Sequence, residues 1–183
     1  MTANPERGIV RRVTAVPTDS YLRRAREEID RTIGPLDTPT IARPCSRRWS
    51  IAEILEHLTL AFRNNATTLE KALASGEVRG RRPRPAAALG RILVVDIGYF
   101  PRATAPERTT PTGSIPAEQS MAAILDALTT LDAALTRAAS RFGETVLVAN
   151  HPYFEGLTVP QWRKFHWRHT AHHMKQVRRI ANP

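Results

Sequence analysis

The sequence predicts an all-α fold, a four-helix bundle with one long insertion between its second and third helices. Four long stretches repeat apolar side chains at the 3.6-residue period of an amphipathic helix. Two of them open on a capping box, a serine or threonine followed three residues later by glutamate or glutamine. The β-prone runs between them have no evident partner strands elsewhere in the chain.

Residues 1–17 carry three close-set basic residues and two prolines without a sustained period, which reads as a flexible basic arm ahead of a single bundle domain over 18–183. Asp19 or Ser20 caps a first helix through Ile33, with Leu22, Ala25, Ile29 and Ile33 in register and Gly34-Pro35 as the stop. Residues 35–48, with three prolines, read as a connecting loop. Ser50 and Glu53 form the first capping box, and Trp49 is placed to staple onto Ile54. From there Ile51, Ile54, Leu55, Leu58, Ala61, Phe62, Leu69 and Leu73 trace one face until Gly76, with His57 at its margin.

The insertion over 76–116 opens on basic GEVRGRRPRP, passes through apolar AAALGRILVVDIGYF and closes on a run rich in proline and threonine. Its centre is expected to be helical and its flanks to be loops placed at the mouth of a site. A third helix over 117–142 carries Met121, Ile124, Leu125, Leu128, Leu131, Leu135 and Ala138, and Gly143 follows as its stop. TVLVANHPYFEG is expected to be an extended connection. Thr158 then caps the last helix, with Pro160 in its first turn and Gln161 completing the second capping box.

The chain of 183 residues fits one domain with a substantial core. No apolar run approaches the ~20 residues that span a bilayer, and the start lacks an apolar segment of signal-peptide length, so a cytoplasmic protein without membrane association is expected. The single cysteine, Cys45, excludes an internal disulfide and has no paired histidine nearby. A net charge of +10 raises nucleic acid as a partner. Most of the excess is scattered arginine, including Arg11, Arg12, Arg23, Arg24, Arg47, Arg48, Arg178 and Arg179, with one dense run at Arg79, Arg81, Arg82 and Arg84. Salt-sensitive nonspecific binding is the expectation, with no specific nucleic-acid partner.

Four of the six histidines lie in the last helix, at His166, His169, His172 and His173. His169 and His173 are roughly 40° apart on the helical wheel and one turn apart along it, so both rings reach one point. Such a pair commonly supplies two ligands to a divalent metal, and a third must come from another element. His57 is the histidine available on another predicted helix. A His57, His169, His173 triad would leave coordination positions for water or substrate, the open geometry of a catalytic centre. A lone histidine at His57 is more often a hydrogen-bonded core residue, and that reading stays open here. His166 and His172 are read as supporting or exposed residues, with His166 also able to replace a ligand. Glu53 and Glu56 flank His57; Glu53, one turn away, is placed to orient that ring or act as a base, although it already serves the cap. Asn64 and His151 read as an exposed polar residue and a turn residue that could approach the pocket. No phosphate-binding glycine loop, nucleophile elbow or zinc-finger cysteine pair is present in the sequence.

The run WSIAEILEHL, together with HPYFEGLTVPQW leading into HWRHTAHHMKQ, resembles the DinB-like superfamily over roughly Trp49 to Ile180. The resemblance implies a four-helix bundle holding one divalent transition metal (zinc, nickel, iron or manganese, with copper also suited to imidazole) through His57 and through His169 and His173 of an H-x-x-H-H-x-x-Q run. It implies a small-molecule substrate and a thiol S-transferase-like activity on low-molecular-weight thiols such as mycothiol or bacillithiol, or a hydrolase. A metal with an open position lowers the pKa of a bound thiol or water, which makes either chemistry sensible. The alternative it implies is a non-catalytic metal-binding or stress-response bundle. Members often pair as homodimers through bundle faces, an option this sequence leaves open.

Overall fold

A computed structural model describes residues 16–46, 48–101 and 104–182. The expected basic arm, with Arg11 and Arg12, lies outside these residues except for its last two positions, and Arg47 lies outside them as well. The fold is helical, as predicted. Helix α1 (Ser20–Ile33) starts where the Asp19 carboxylate accepts the N–H groups of Tyr21 and Leu22, and it buries Leu22, Ala25, Ile29 and Ile33. The loop expected over 35–48 contains a five-residue helix, α2 (Thr38–Ala42), capped by Asp37. One turn and a half is too short for periodicity to reveal.

Helix α3 (Ile51–Ser75) has both halves of the Ser50–Glu53 capping box and ends at Gly76, whose φ of 72° requires the left-handed region. The centre of the insertion is helical as expected, in two pieces. Helix α4 (Pro85–Arg91) passes into a π-helical segment, Ile92–Ile97, closed by Gly98 at φ 83°. A 3-10 turn, Glu107–Thr109, leads back to helix α5 (Ala117–Phe142). Helix α6 (Val159–Ala181) opens on the Thr158–Gln161 capping box.

The segment expected to be a plain connection is instead a hairpin. Strand β1 (Ala149–His151) pairs antiparallel with β2 (Glu155–Leu157), Ala149 opposite Leu157 and His151 opposite Glu155. Each strand finds its partner a few residues away, so no distant strand is needed. The backbone of the insertion adds to this edge: Arg79 N–H donates to Val148 O, Gly80 N–H to Leu147 O, and Gly156 N–H to Arg81 O. A Cβ at Gly156 would lie 2.3 Å from Arg81 O, so only glycine permits the approach.

The four long helices form two tight pairs, α3 on α5 and α1 on α6, closed around one core. Phe62, Leu128 and Trp162 are almost fully buried within it. Each side chain of this size contributes about 1.5–3 kcal/mol when removed from water. Near the end of α6, Arg178 donates to Glu28 at 2.7 Å and to Thr32 at 2.9 Å, tying it to α1. The π segment lies along α6, held where Lys164 pairs with Asp96 at 2.7 Å. No helix among the described residues is long and apolar enough to cross a membrane.

Candidate metal centre

His57 is buried on α3, and its Nδ1 lies 2.7 Å from the carbonyl oxygen of Thr109. A carbonyl only accepts, so Nδ1 carries the proton and Nε2 keeps its lone pair. His173, on α6, is set the same way by Gln176, whose Oε1 lies 2.9 Å from its Nδ1. The amide nitrogen of Gln176 then donates to Nε2 of His172 at 3.0 Å. His169 stands between the two rings: its Nε2 is 3.3 Å from that of His57 and 3.1 Å from that of His173. One nitrogen from each of the three residues falls within a 4.8 Å cluster.

These residues fit a metal ion. Nitrogen ligands about 2.0–2.1 Å from a tetrahedral ion sit about 3.3 Å from one another, close to the two separations observed. Burial pushes His57 below the ordinary histidine value; burial and the neighbouring imidazoles push His169 well below it and His173 to about 3. All three are therefore neutral near pH 7, the form that offers a lone pair. His57 and His173 both have Nδ1 engaged by an acceptor, the outer partnership usual for ligating imidazoles.

Aromatic rings frame the cluster. The Trp49 centroid is 4.9 Å from that of His57, Phe165 stacks on His169 at 5.3 Å, and Phe100 stacks on His172 at 4.7 Å. The three histidines line a cavity of about 1240 Å³. The return limb of the insertion walls it through Thr104, Pro106 and Thr109, while the arginine run 79–84 is not among its lining residues. Arg84 instead pairs with Glu155 at 2.6 Å.

The other sequence candidates fall as follows. His166 is fully buried beside Phe62 and Trp162, and Asn65 donates to its Nε2 at 3.3 Å; it stands outside the three-ring cluster. His172 is half-buried and touches the cluster through Gln176 and Phe100. Glu53 does not support His57: its Oε2 accepts from both the backbone and hydroxyl of Ser50, at 2.7 and 2.8 Å, so the cap holds it away. Asn64 is not idle surface, since its amide donates to Arg108 O at 2.8 Å.

Glu56 has a role that the sequence did not suggest, and His151 takes the place at the pocket that was the alternative to a turn residue. Glu56 is buried, and its carboxylate takes five hydrogen bonds from Thr112, Gly113 and Ser114. Burial works to raise its pKa, but these donors prevail and hold it below the ordinary glutamate value. The TPTGS turn is rich in donors, but nothing in the sequence ties it to Glu56. His151, expected in a turn, belongs to β1, is 8% exposed and lines the cavity. Its ring stacks on Phe154 at 4.4 Å, and Tyr153 N–H donates to its Nδ1 at 3.2 Å, which leaves the ring proton on Nε2.

No curated protein and no solved structure matched the chain. A family model described as the DinB superfamily matches residues 21–177, which include both helices that carry the three-histidine cluster. The chain therefore belongs to the DinB superfamily, whose members are typically metal-binding.

Proposed function

We propose that this chain binds one divalent transition metal through His57, His169 and His173 and uses it to activate a small-molecule thiol or water, for S-transfer or hydrolysis. The observation that carries the reading is the convergence of three imidazole nitrogens, two of them 3.1 and 3.3 Å from the third, on the wall of a large cavity. When bound there, the ion supplies Lewis acidity, lowering the pKa of a thiol or water brought to an open position. The chain's own residues do the rest. Thr109 and Gln176 hold two imidazoles in the tautomer that points a lone pair inward. Trp49, Phe100 and Phe165 keep bulk water from the ligands and offer apolar contact to a substrate. Three protein ligands, one fewer than a closed structural site, leave room for exchange.

Elemental analysis of protein purified without a histidine tag, beside His57→Ala and His169→Ala, tests the metal. About one equivalent of a transition metal is expected, absent from both variants. A chain that holds no metal and takes up no added zinc, nickel, manganese or iron would overturn the proposal. Metal-loaded protein is then assayed with a panel of thiols and electrophiles. Turnover no faster than free metal across that panel would leave a metal-binding bundle without the transferase activity.

A further inference from the structure

We infer that the cavity over the three histidines takes an organic anion with an apolar body. Of the described side chains that line the cavity, only Arg48 and Arg179 carry formal charge, and no carboxylate is among them. Neither guanidinium has an ion-pair or side-chain hydrogen-bond partner among the described residues, although both belong to elements close to the rings. Arg48 precedes Trp49, whose ring is 4.9 Å from that of His57, and Arg179 lies on α6, three residues after Gln176.

The buried carboxylate next to His57 in sequence is turned away. Glu56 is adjacent to His57 in sequence, yet all its hydrogen bonds go to Thr112, Gly113 and Ser114, so it does not neutralise the cavity. A third donor comes from the hairpin: His151 accepts at Nδ1, so its Nε2 presents an N–H, and no described residue accepts it. Two guanidinium groups without a side-chain partner among the described residues and one neutral N–H form a set of donors on the cavity wall. Charge-assisted hydrogen bonds to a carboxylate, sulfonate or phosphate satisfy it. The remaining wall, including Trp49, Val94, Phe100, Phe154 and Phe165, has no use for a compact hydrated ion and fits a hydrocarbon or aromatic body.

The inference rests on the proposed function for where the substrate sits, and its test separates the two. Isothermal titration with 4-phenylbutyrate and its neutral analogue 4-phenylbutan-1-ol is run on zinc-loaded and on chelator-stripped protein. The carboxylate is expected to bind about tenfold or more tightly than the alcohol in both forms. Arg48→Ala and Arg179→Ala should each weaken the carboxylate several-fold, leaving the alcohol's affinity and the melting temperature unchanged. Equal affinities, a preference that survives the double variant, or no saturable binding of either compound would overturn the inference. A preference seen only with zinc assigns it to the ion and also overturns the inference, while the metal reading stands. The arginine-dependent preference in a chain that binds no metal keeps the inference and removes the metal reading.

Discussion

The carbonyl oxygen of Thr109 lies 2.7 Å from Nδ1 of His57, joining the return limb of the insertion to a ring of the cluster. Two further fasteners flank this bond on α3: Arg108 O receives the amide of Asn64, and Glu56 receives the turn at 112–114. The limb is thus stitched along more than two turns of α3, with His57 among the stitches. The tautomer of His57 depends on a segment more than fifty residues away.

Glu56→Gln should loosen this stitching. An amide keeps one acceptor oxygen but brings an NH₂ against backbone donors, leaving buried donors unmet at a cost of about 1–3 kcal/mol. Metal affinity is expected to fall as His57 loses its fixed orientation. Urea denaturation and a metal titration read the two effects, and a variant as stable and as tight-binding as the parent would show the anchor to be idle.

Gln176→Leu should separate binding from folding. The residue is half-buried and bridges His173 and His172, so its loss is expected to weaken metal binding about 10–100-fold with little change in melting temperature. Competition with a chelator of known affinity measures the first, a thermal scan the second. An unchanged metal affinity would mean that His173 is oriented by packing alone.

Acid should destabilise the metal-free protein well above the carboxylate range. Burial holds His151 and His166 at about 3, against 6.5 for an unperturbed histidine. Both are neutral when folded, while the unfolded chain binds protons below about pH 6.5. Their contribution is therefore complete above that value and is lost as the pH falls towards about 3, at up to about 1.4 kcal/mol per pH unit for each. Urea midpoints should drop between about pH 7 and about pH 5. His151→Phe should make the decline shallower, and a decline of unchanged slope would contradict the assignment.

Glycine substitutions should divide sharply by position. Gly156→Ala drives a Cβ to 2.3 Å from Arg81 O, a backbone atom, and strains the hydrogen bond beside it. A loss on the order of 1–3 kcal/mol is expected. Gly90, inside α4, would place its Cβ 3.7 Å from Phe154, an ordinary contact. Gly90→Ala should be neutral or gain about 0.5–1 kcal/mol from helix propensity. Equal effects in urea titrations would mean that the hairpin and insertion part more easily than their hydrogen bonds imply.

The long helices and both capping boxes were legible because their signals are local: a period of 3.6 residues and a spacing of three. The meeting of His169 and His173 was legible for the same reason, and His57 followed as the histidine left on another long helix. Glu56 was not legible as an anchor, since its partners lie 56 to 58 residues away and leave no periodic trace. The pocket position of His151 was open in the sequence, but its strand was not legible, because three-residue strands are too short to alternate visibly and their pairing is settled by a turn and by the backbone at Arg79–Arg81. The dense arginine run of the insertion does not line the cavity. Among the described residues the cationic side chains at the cavity are Arg48 and Arg179, each one half of an Arg-Arg pair near a helix end, where sequence offers no reason to prefer them.

The pairing of the helices has a mechanical consequence. His57 belongs to the α3–α5 pair, while His169 and His173 belong to the α1–α6 pair, and α3 touches α6 far less than it touches α5. The spacing of His169 and His173 is set within one rigid helix; the spacing of His57 from His169 is set between the two halves. An ion bound by all three would act as a clasp across the weakest seam of the bundle.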